Sequence, residues 1–199
     1  MAEPLRYVSE PHSYWLGPRR LRSVSEVVTA MGIVDLAAVP PEILANAARR
    51  GREIHTALRY YLDGEADWRA LVTEETAPYV DAAIAFCTET GVEPLVVERP
   101  MYDPARYFAG TPDLIARVRG QVAVVDWKAI RSMHAGYGVS TAGYARLAAA
   151  NGIPIETRLA VQLLPTGQYR VETFTDRHDD AEFLAALFCY ERRLARNGG

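Results

Sequence analysis

The 199-residue sequence has almost no lysine, only two cysteines and no long apolar run. Cys87 and Cys189 cannot build a four-cysteine iron–sulfur or zinc cluster, and their wide separation does not suggest a disulfide framework. Both lie in apolar helical patterns, so we expect both to be core residues. No segment approaches the roughly 18 apolar residues of a membrane-spanning helix, and the start lacks the pattern of a signal peptide. These absences predict a soluble, cytoplasmic protein without a membrane partner.

Basic residues are present, but they form no global basic field, because the net charge is -3 at pH 7. This argues against indiscriminate affinity for phosphate backbones but not against a local basic groove. Of the 22 basic residues, 21 are arginine and one, Lys128, is lysine. A lysine carries a compact ammonium that can be oriented at a reacting group, unlike the planar guanidinium of arginine. Lys128 is therefore a candidate functional residue, although a lone lysine can also fall anywhere by chance.

The composition, 49% hydrophobic and 24% charged, is sufficient for a sizeable core. We predict a single domain over residues 1–199, without internal repeats or linkers. Its expected parts are a mainly helical N-terminal portion (1–91), a catalytic sheet and helix (92–175) and a C-terminal helix (176–199).

Hydrophobic periodicity and turn residues predict the order of helices and strands. After a short hairpin around residues 7–16, a capping box at residues 23–26 begins the first helix. Further helices are predicted at 41–61, 76–90, 139–150 and 179–194, and strands at 94–101, 113–118, 121–127, 157–164 and 168–173. This order predicts an α/β fold with a central mixed β-sheet flanked by helices.

Two of the predicted strands surround a turn at residues 119–120. If they form a hairpin with a two-residue loop, Val118 pairs with Gln121 and Asp113 falls opposite Asp126. Directly opposed side chains have Cβ atoms about 4.5–5.5 Å apart, so two carboxylates there repel unless a cation lies between them. The pairing therefore predicts a divalent metal ion.

The D-x-K tripeptide at residues 126–128 adds an ammonium to the same face, because side chains alternate along a strand and Trp127 faces the other way. Carboxylates with open coordination positions suit Mg²⁺ or Mn²⁺. Such an ion activates a bound water, while Lys128 orients or deprotonates the nucleophile and stabilises developing phosphorane charge. Phosphodiester hydrolysis is the chemistry that this arrangement suits best. The alternative is a chance tripeptide, with Asp113 only a turn residue after a proline.

The succession of aspartate, hairpin, D-x-K and helix resembles the PD-(D/E)XK nuclease superfamily, and within it the RecB-like and phage-type exonucleases. Residues 51–55, Gly-Arg-Glu-Ile-His, match the G-x-x-x-H element on an upstream helix of that branch. Residues 12–14 and 23–28 look like its N-terminal segment. The resemblance covers roughly residues 7–175 and implies a restriction-endonuclease-like core.

The resemblance implies further site residues. It makes His55 a metal ligand beside the two aspartates and the Trp127 carbonyl, and it places Glu98 near the metal or the attacking water. The alternatives are a histidine satisfied on a helix face and a solvated glutamate paired with an arginine. Family members carry Q-x-x-x-Y on the helix after the lysine; here Tyr144 fills the tyrosine position, but Ser140 replaces the glutamine. Tyr144 is a candidate phosphate contact, with helix packing as the alternative.

Arg131 and Ser132, just past the lysine, could also reach phosphate. The resemblance implies a nuclease that hydrolyses DNA with Mg²⁺ or Mn²⁺ in a bacterial or phage-infected cell. It favours an exonuclease that acts on linear ends or single strands in recombination or repair, either as a homo-oligomer or with a single-strand annealing or recombination protein as its partner. Two alternatives stay open: a catalytically inactive DNA-binding module, and a partner-binding protein on the same scaffold, which the acidic net charge favours.

Overall fold

A computed structural model describes residues 4–10, 12–34 and 39–198 of the chain. The helices in these ranges are α1 (Val24–Ala30), α2 (Pro41–Leu62), α3 (Ala77–Thr90), α4 (Gly136–Ala150) and α5 (His178–Arg196), with a 3-10 helix at Ala66–Leu71. The strands are β1 (Leu5–Val8), β2 (Ser13–Leu16), β3 (Arg19–Ser23), β4 (Glu93–Val97), β5 (Met101–Asp103), β6 (Phe108–Gly110), β7 (Leu114–Val118), β8 (Gln121–Lys128), β9 (Thr157–Leu163) and β10 (Tyr169–Phe174). None of the helices in this part of the chain is both long and apolar enough to cross a membrane.

The central sheet has the strand order β10-β9-β8-β7-β4. Only β8 and β9 run parallel in it, and α4 makes the crossover that a parallel pair requires. Helices α2 and α3 cover one face of the sheet, and α1, α4 and α5 cover the other, each over a layer of fully buried side chains. The predicted α/β class, a mixed sheet flanked by helices, is confirmed.

A second sheet, in the order β1-β2-β3-β6-β5, joins the N-terminal strands to the segment after β4. The sequence predicts its first hairpin but not β3, β5 or β6. The predicted strand at 94–101 is instead two strands in different sheets, because the chain turns after Val97: Glu98 has a φ of 39° and Pro100 interrupts the ladder. The N-terminal portion contains α1, α2 and α3 and also supplies three strands of this second sheet.

Helix α5 corrects the expectation that both cysteines are core residues. Cys87 is buried in α3, but Cys189 is exposed, and the adjacent Phe188 is 64% exposed. The inner stripe of α5 instead consists of Phe183, Ala186, Leu187 and Tyr190. Positions 188 and 189 are rotated away from that stripe by the 3.6-residue period.

The start of α1 is fixed as the capping box predicts. Ser23 Oγ accepts a hydrogen bond from the Glu26 N–H at 3.0 Å, and the Glu26 carboxylate accepts one from the Ser23 N–H. Tyr190 on α5 donates its hydroxyl to the same carboxylate at 2.9 Å. Glu26 therefore also links α1 to α5 next to the sheet.

Replacing Gly136, the first residue of α4, by alanine should destabilise the protein by about 1–3 kcal/mol. A Cβ there would lie well inside van der Waals distance of the backbone oxygen of Ile33, which cannot swing away as a flexible side chain can. The matched control is Gly51→Ala on α2, where a Cβ meets no atom within 4 Å. Helix propensity should make that change neutral or stabilising by about 0.5–1 kcal/mol. Urea denaturation of both variants measures the difference, and equal effects would contradict the steric argument.

Candidate active site

The β7–β8 hairpin has the predicted register. Val118 pairs with Gln121 across a two-residue turn, in which Arg119 and Gly120 have φ values of 50° and 82°. Positive φ at both turn positions is the type I′ geometry that matches the twist of a two-residue hairpin. The ladder continues to the pair of Leu114 with Val125, and the next position outward holds the two aspartates, 113 and 126.

The D-x-K segment at the end of β8 places Asp126 and Lys128 on the sheet face that α4 covers. Their side chains meet there, with Lys128 Nζ 2.7 Å from Asp126 Oδ2. Trp127 points to the opposite face, where its indole packs edge-on against Phe86 at a centroid distance of 5.6 Å. The carboxylate of Asp126 is buried and the ammonium is half-buried. The predicted alternation therefore puts both charges at one site.

Asp113 lies just before β7, and each of its carboxylate oxygens has a contact. Oδ2 accepts a hydrogen bond from the backbone N–H of Trp127 at 2.9 Å. The side chain thus continues the hydrogen bonding between β7 and β8 beyond the last backbone pair. Oδ1 lies 3.4 Å from Nδ1 of His55. These contacts aim Asp113 into the site and exclude the interpretation of it as a free turn residue.

His55 and Glu98 reach the same place from two other elements. His55, on α2, lies with Nδ1 3.2 Å from Glu98 Oε1. Glu98 is not within a strand as expected but one residue past β4, in the left-handed φ region noted above. Its N–H donates to the backbone oxygen of Asp113 at 3.1 Å. A glutamate held in a costly backbone conformation at a cluster of charges is typical of a functional position.

Burial and mutual charge set the protonation of these groups. Burial raises the pKa of Asp126 to about 6, Lys128 opposes the rise and Asp113 adds to it. Burial would also raise the pKa of Asp113, but His55, Lys128 and the Trp127 N–H hold it below its usual range. Burial would lower the pKa of Lys128, but the two aspartates raise it instead, so the ammonium persists at neutral pH. In this arrangement Lys128 is a cation and hydrogen-bond donor.

The donor set suits a hard divalent ion. Asp113, Asp126 and Glu98 supply carboxylate oxygens and His55 supplies one nitrogen, the ligand types that Mg²⁺ and Mn²⁺ accept. Oδ2 of Asp126 is buried and makes no hydrogen bond of regular geometry within the described residues, despite its close ion pair with Lys128. The spacings of 3.2 and 3.4 Å at His55 Nδ1 are near the roughly 3 Å between neighbouring ligands of an ion with bonds of about 2.1 Å.

The same side chains form ion pairs with one another. Within residues 4–10, 12–34 and 39–198, no three His, Cys, Asp or Glu side chains form a ready-made metal cluster. His55 and Lys128 act as the counter-ions of the carboxylates instead. A metal ion bound at the site would replace the proton on His55 as the positive charge that balances Asp113 and Glu98.

The predicted substrate contacts separate into two groups. Tyr144, on α4, lines a cavity of about 700 Å³ together with His55, Glu98 and Asp113. Ser140 does not line it: its hydroxyl is buried and donates to the Gly136 oxygen of its own helix at 3.3 Å. Tyr144 both packs against the core beneath α4 and reaches the cavity, so the structure fits either of its two interpretations.

The structure does not bring Arg131 and Ser132 into that cavity. They line a different cleft of about 430 Å³, beside Gln162 and Arg170. The Gln162 amide donates to the backbone oxygens of Ile130 and Arg131 at 3.0 and 2.9 Å and fixes this loop against β9. Phosphate contacts by these two residues remain a prediction from the sequence alone.

Two features of the site were not predicted from the sequence. Lys128 Nζ lies 4.9 Å from the ring centroid of Tyr137, at the start of α4, a cation–π geometry that holds the ammonium from the side. Another part of the cavity wall comes from the N-terminal hairpin, including Tyr7, His12 and Tyr14. The spacing of Tyr137 from the lysine carries no periodic signal, because an irregular loop separates them.

The metal-free protein should lose stability as the pH rises toward about 10, and the loss should depend on His55. Burial would lower the pKa of His55, but Asp113 and Glu98 raise it to about 10. Because the folded state retains a proton that the unfolded chain releases near pH 6.5, the stabilisation is complete below about pH 6.5 and disappears as pH rises through the folded pKa.

Melting temperatures in EDTA, measured between about pH 6 and pH 10, test this for wild-type protein and His55→Asn. The difference between the two proteins should shrink across that range. The control is His178→Asn, which removes an exposed histidine 2.8 Å from Asp176. A constant difference between wild type and His55→Asn would show that the cluster does not hold the proton.

No protein-family model matches the chain, and no curated protein matches it. Among solved structures, it is similar to LHK-Exo in complex with dAMP, with a TM-score of 0.49 and 16% identity over 89% of each chain. It is also similar to an alkaline exonuclease (LHK-Exo) from Laribacter hongkongensis, with a TM-score of 0.43 and 16% identity over 89% of this chain and 93% of that one. Likeness this distant does not establish an activity, so function has to be inferred from the site itself.

Proposed function

We propose that this protein is a metal-dependent nuclease of the PD-(D/E)XK type that hydrolyses DNA phosphodiester bonds. The observation that carries the proposal is the convergence of Asp113, Asp126, Lys128, His55 and Glu98 at one end of the central sheet. These residues come from four separate segments, and their contacts lie between 2.7 and 3.4 Å. Such a concentration of charge beside an open cavity is costly for stability and suits catalysis.

Each side chain has a role that follows from its position. Asp113, Asp126 and His55, with the Trp127 carbonyl, are the proposed ligands of Mg²⁺ or Mn²⁺, which when bound supplies an activated water and polarises the phosphate. Lys128 donates hydrogen bonds to the nucleophile and to the developing negative charge, with Asp126 and Tyr137 fixing its position. Glu98 orients His55 or the water.

DNA as the substrate agrees with the charge distribution only if recognition is local. The net charge is -3, so attraction must come from the ion and from Arg52, the one arginine among the described residues that line the cavity. The resemblance to RecB-like and phage-type enzymes favours an exonuclease that acts on ends in recombination or repair. We propose that the activity resides in one domain over residues 1–199, in the restriction-endonuclease-like core.

The test is digestion of end-labelled linear DNA and closed-circular DNA, with Mg²⁺, with Mn²⁺ and with EDTA. Loss of linear DNA alone, dependent on either metal, would support an end-dependent exonuclease. Cleavage of the circle as well would make it an endonuclease. Binding of DNA at low salt without cleavage in either metal would overturn the proposal in favour of a catalytically inactive DNA-binding protein, and RNA of the same sequence serves as the substrate control.

A further inference from the structure

The N-terminal hairpin forms part of the wall of the cavity that His55, Glu98 and Asp113 also line. Tyr7 on β1 and Tyr14 on β2 are direct cross-strand partners, so their rings share one face of the hairpin. The two ring centroids lie 5.1 Å apart, and the ring of His12 lies edge-on to both, at 5.2 and 5.3 Å. We call Tyr7, His12 and Tyr14 the aromatic wall. It lines the same cavity of about 700 Å³ as His55, Glu98 and Asp113.

Hydrogen bonds fix the aromatic wall to the active-site loop. The Tyr7 hydroxyl lies 3.0 Å from His12 Nδ1, and the Tyr14 hydroxyl lies 3.1 Å from His12 Nε2. The Tyr14 hydroxyl also lies 2.8 Å from Oγ1 of Thr111, two residues before Asp113. The chain of contacts therefore links the exposed hairpin to the loop that carries a proposed metal ligand. Displacement of the hairpin would change the position of that loop.

The three rings differ in their access to solvent. Tyr14 is 1% exposed and serves as the buried anchor, whereas Tyr7 is 39% exposed and His12 is exposed. Exposed aromatic side chains usually retain rotational freedom, which a ligand must remove on binding. Here Tyr7 and His12 are already held by hydrogen bonds, so a flat apolar ligand could stack on them at little cost in conformational entropy.

A nucleobase is the ligand that fits this combination. Every base has a π-face, and stacking on aromatic side chains beside a cationic groove is the usual mode of binding unpaired nucleotides. Arg52, exposed on α2 one helical turn before His55, lines the same cavity and supplies the cationic group for a phosphate. A base pair in a continuous duplex cannot stack on a ring, because its faces are covered by its neighbours.

We infer that the aromatic wall binds the unpaired nucleobase of the nucleotide next to the cleaved phosphodiester, with Tyr7 and His12 as the stacking surface and Tyr14 as the positioning residue beneath them. The inference rests on the proposed nuclease function. It defines the substrate class as a DNA strand whose nucleotide at the site is unpaired, either in single-stranded DNA or at a frayed end.

The experiment measures binding without cleavage, so that it does not depend on turnover. Short single-stranded oligonucleotides carry either a normal base or an abasic site at the terminal nucleotide, one set at the 5′ end and one at the 3′ end. Affinities are measured in EDTA at low salt for wild type, Tyr7→Ala and Tyr7→Phe. The matched control is Tyr107→Ala, since Tyr107 is 38% exposed but does not line the cavity.

For wild type and Tyr7→Phe, loss of the base at one of the two ends should weaken binding about 5- to 150-fold, the range for one stacked base. Tyr107→Ala should behave as wild type. Tyr7→Ala, which retains His12, should bind the normal oligonucleotide more weakly than wild type does, and the abasic site should weaken its binding by a smaller factor than in wild type. The terminal fluorescent base 2-aminopurine should be quenched more strongly by wild type than by Tyr7→Ala.

Two results would overturn the inference. An abasic penalty of the same size in Tyr7→Ala and wild type would place the base elsewhere, even if the protein cleaves DNA. Absence of any penalty at either end in wild type would show that no base is stacked. If the base-dependent binding is found but no metal cleaves the DNA, the proposed nuclease function fails and the aromatic wall stands as a nucleotide-binding site.

Discussion

Replacing Asp126 by asparagine should reduce metal-dependent cleavage of DNA by about 10³-fold or more, if the several kcal/mol that a bound ion contributes are lost. The change preserves the size of the side chain and removes only the charge. Asp126 is 3% exposed and lies 2.7 Å from Lys128, so the variant loses a proposed metal ligand and the group that positions the ammonium. Cleavage of end-labelled linear DNA in Mn²⁺ and in Mg²⁺ measures the loss, and calorimetric titration with Mn²⁺ measures the affinity for the ion.

The matched control is Asp81→Asn on α3, which removes an exposed carboxylate from the other side of the sheet. It should leave both cleavage and Mn²⁺ affinity unchanged. The melting temperature of Asp126→Asn should stay close to that of wild type, because the lost ion pair with Lys128 is offset by relief of the cost of burying the charge and of the repulsion from Asp113. Near wild-type cleavage by Asp126→Asn would move the metal site away from the hairpin.

The charged face of the hairpin could be derived from the sequence because local rules determine it. A two-residue loop at Arg119-Gly120 fixes the register, and the two-residue period of a strand then fixes the face of every side chain. The position of Asp126 and Lys128 on one face and of Trp127 on the other needs no information from outside these strands. The pairing of both aspartates follows in the same way.

The contacts of His55 and Glu98 could not be derived by such rules. His55 lies 58 residues before Asp113, and the two meet only because α2 packs across the sheet. Hydrophobic periodicity shows which face of α2 is buried but not which strand end that face meets. The resemblance to a nuclease family, and not the pattern of residues, suggested that His55 and Glu98 belong to the site.

Strands β3, β5 and β6 of the second sheet were missed for a physical reason as well. They are only three to five residues long, and β3 consists of Arg-Arg-Leu-Arg-Ser, in which a single leucine is the apolar signal. Leu21 is 1% exposed and packs with Tyr14 and Ala109, so a few tertiary contacts stabilise strands that have little propensity of their own. The predicted hairpin carries Tyr7 and Tyr14, but the contact of Tyr14 with Thr111 after β6 depends on the missed strands and was hidden from the sequence.

The change Lys128→Arg should reduce turnover by about 10²–10³-fold while leaving Mn²⁺ affinity largely intact, as loss of one preorganised donor does at other sites. The guanidinium retains the positive charge, but it is planar and larger than the ammonium that fits between Asp126 and the ring of Tyr137. Its donors would therefore be displaced from the position at which the ammonium meets the nucleophile. Single-turnover cleavage separates this chemical defect from weakened DNA binding.

The composition of the chain allows an independent test of the same residue. Lys128 is the only lysine, and its side chain is 23% exposed, so an amine-acylating reagent has one side-chain target besides the terminal amine. Acylation removes the charge and should abolish cleavage in proportion to the modified fraction of Lys128 found by mass spectrometry. The residual activity of Lys128→Arg should not respond to the reagent. Full activity of the acylated wild type, or near wild-type turnover of Lys128→Arg, would remove Lys128 from the mechanism and leave the carboxylates as a metal site without an ammonium.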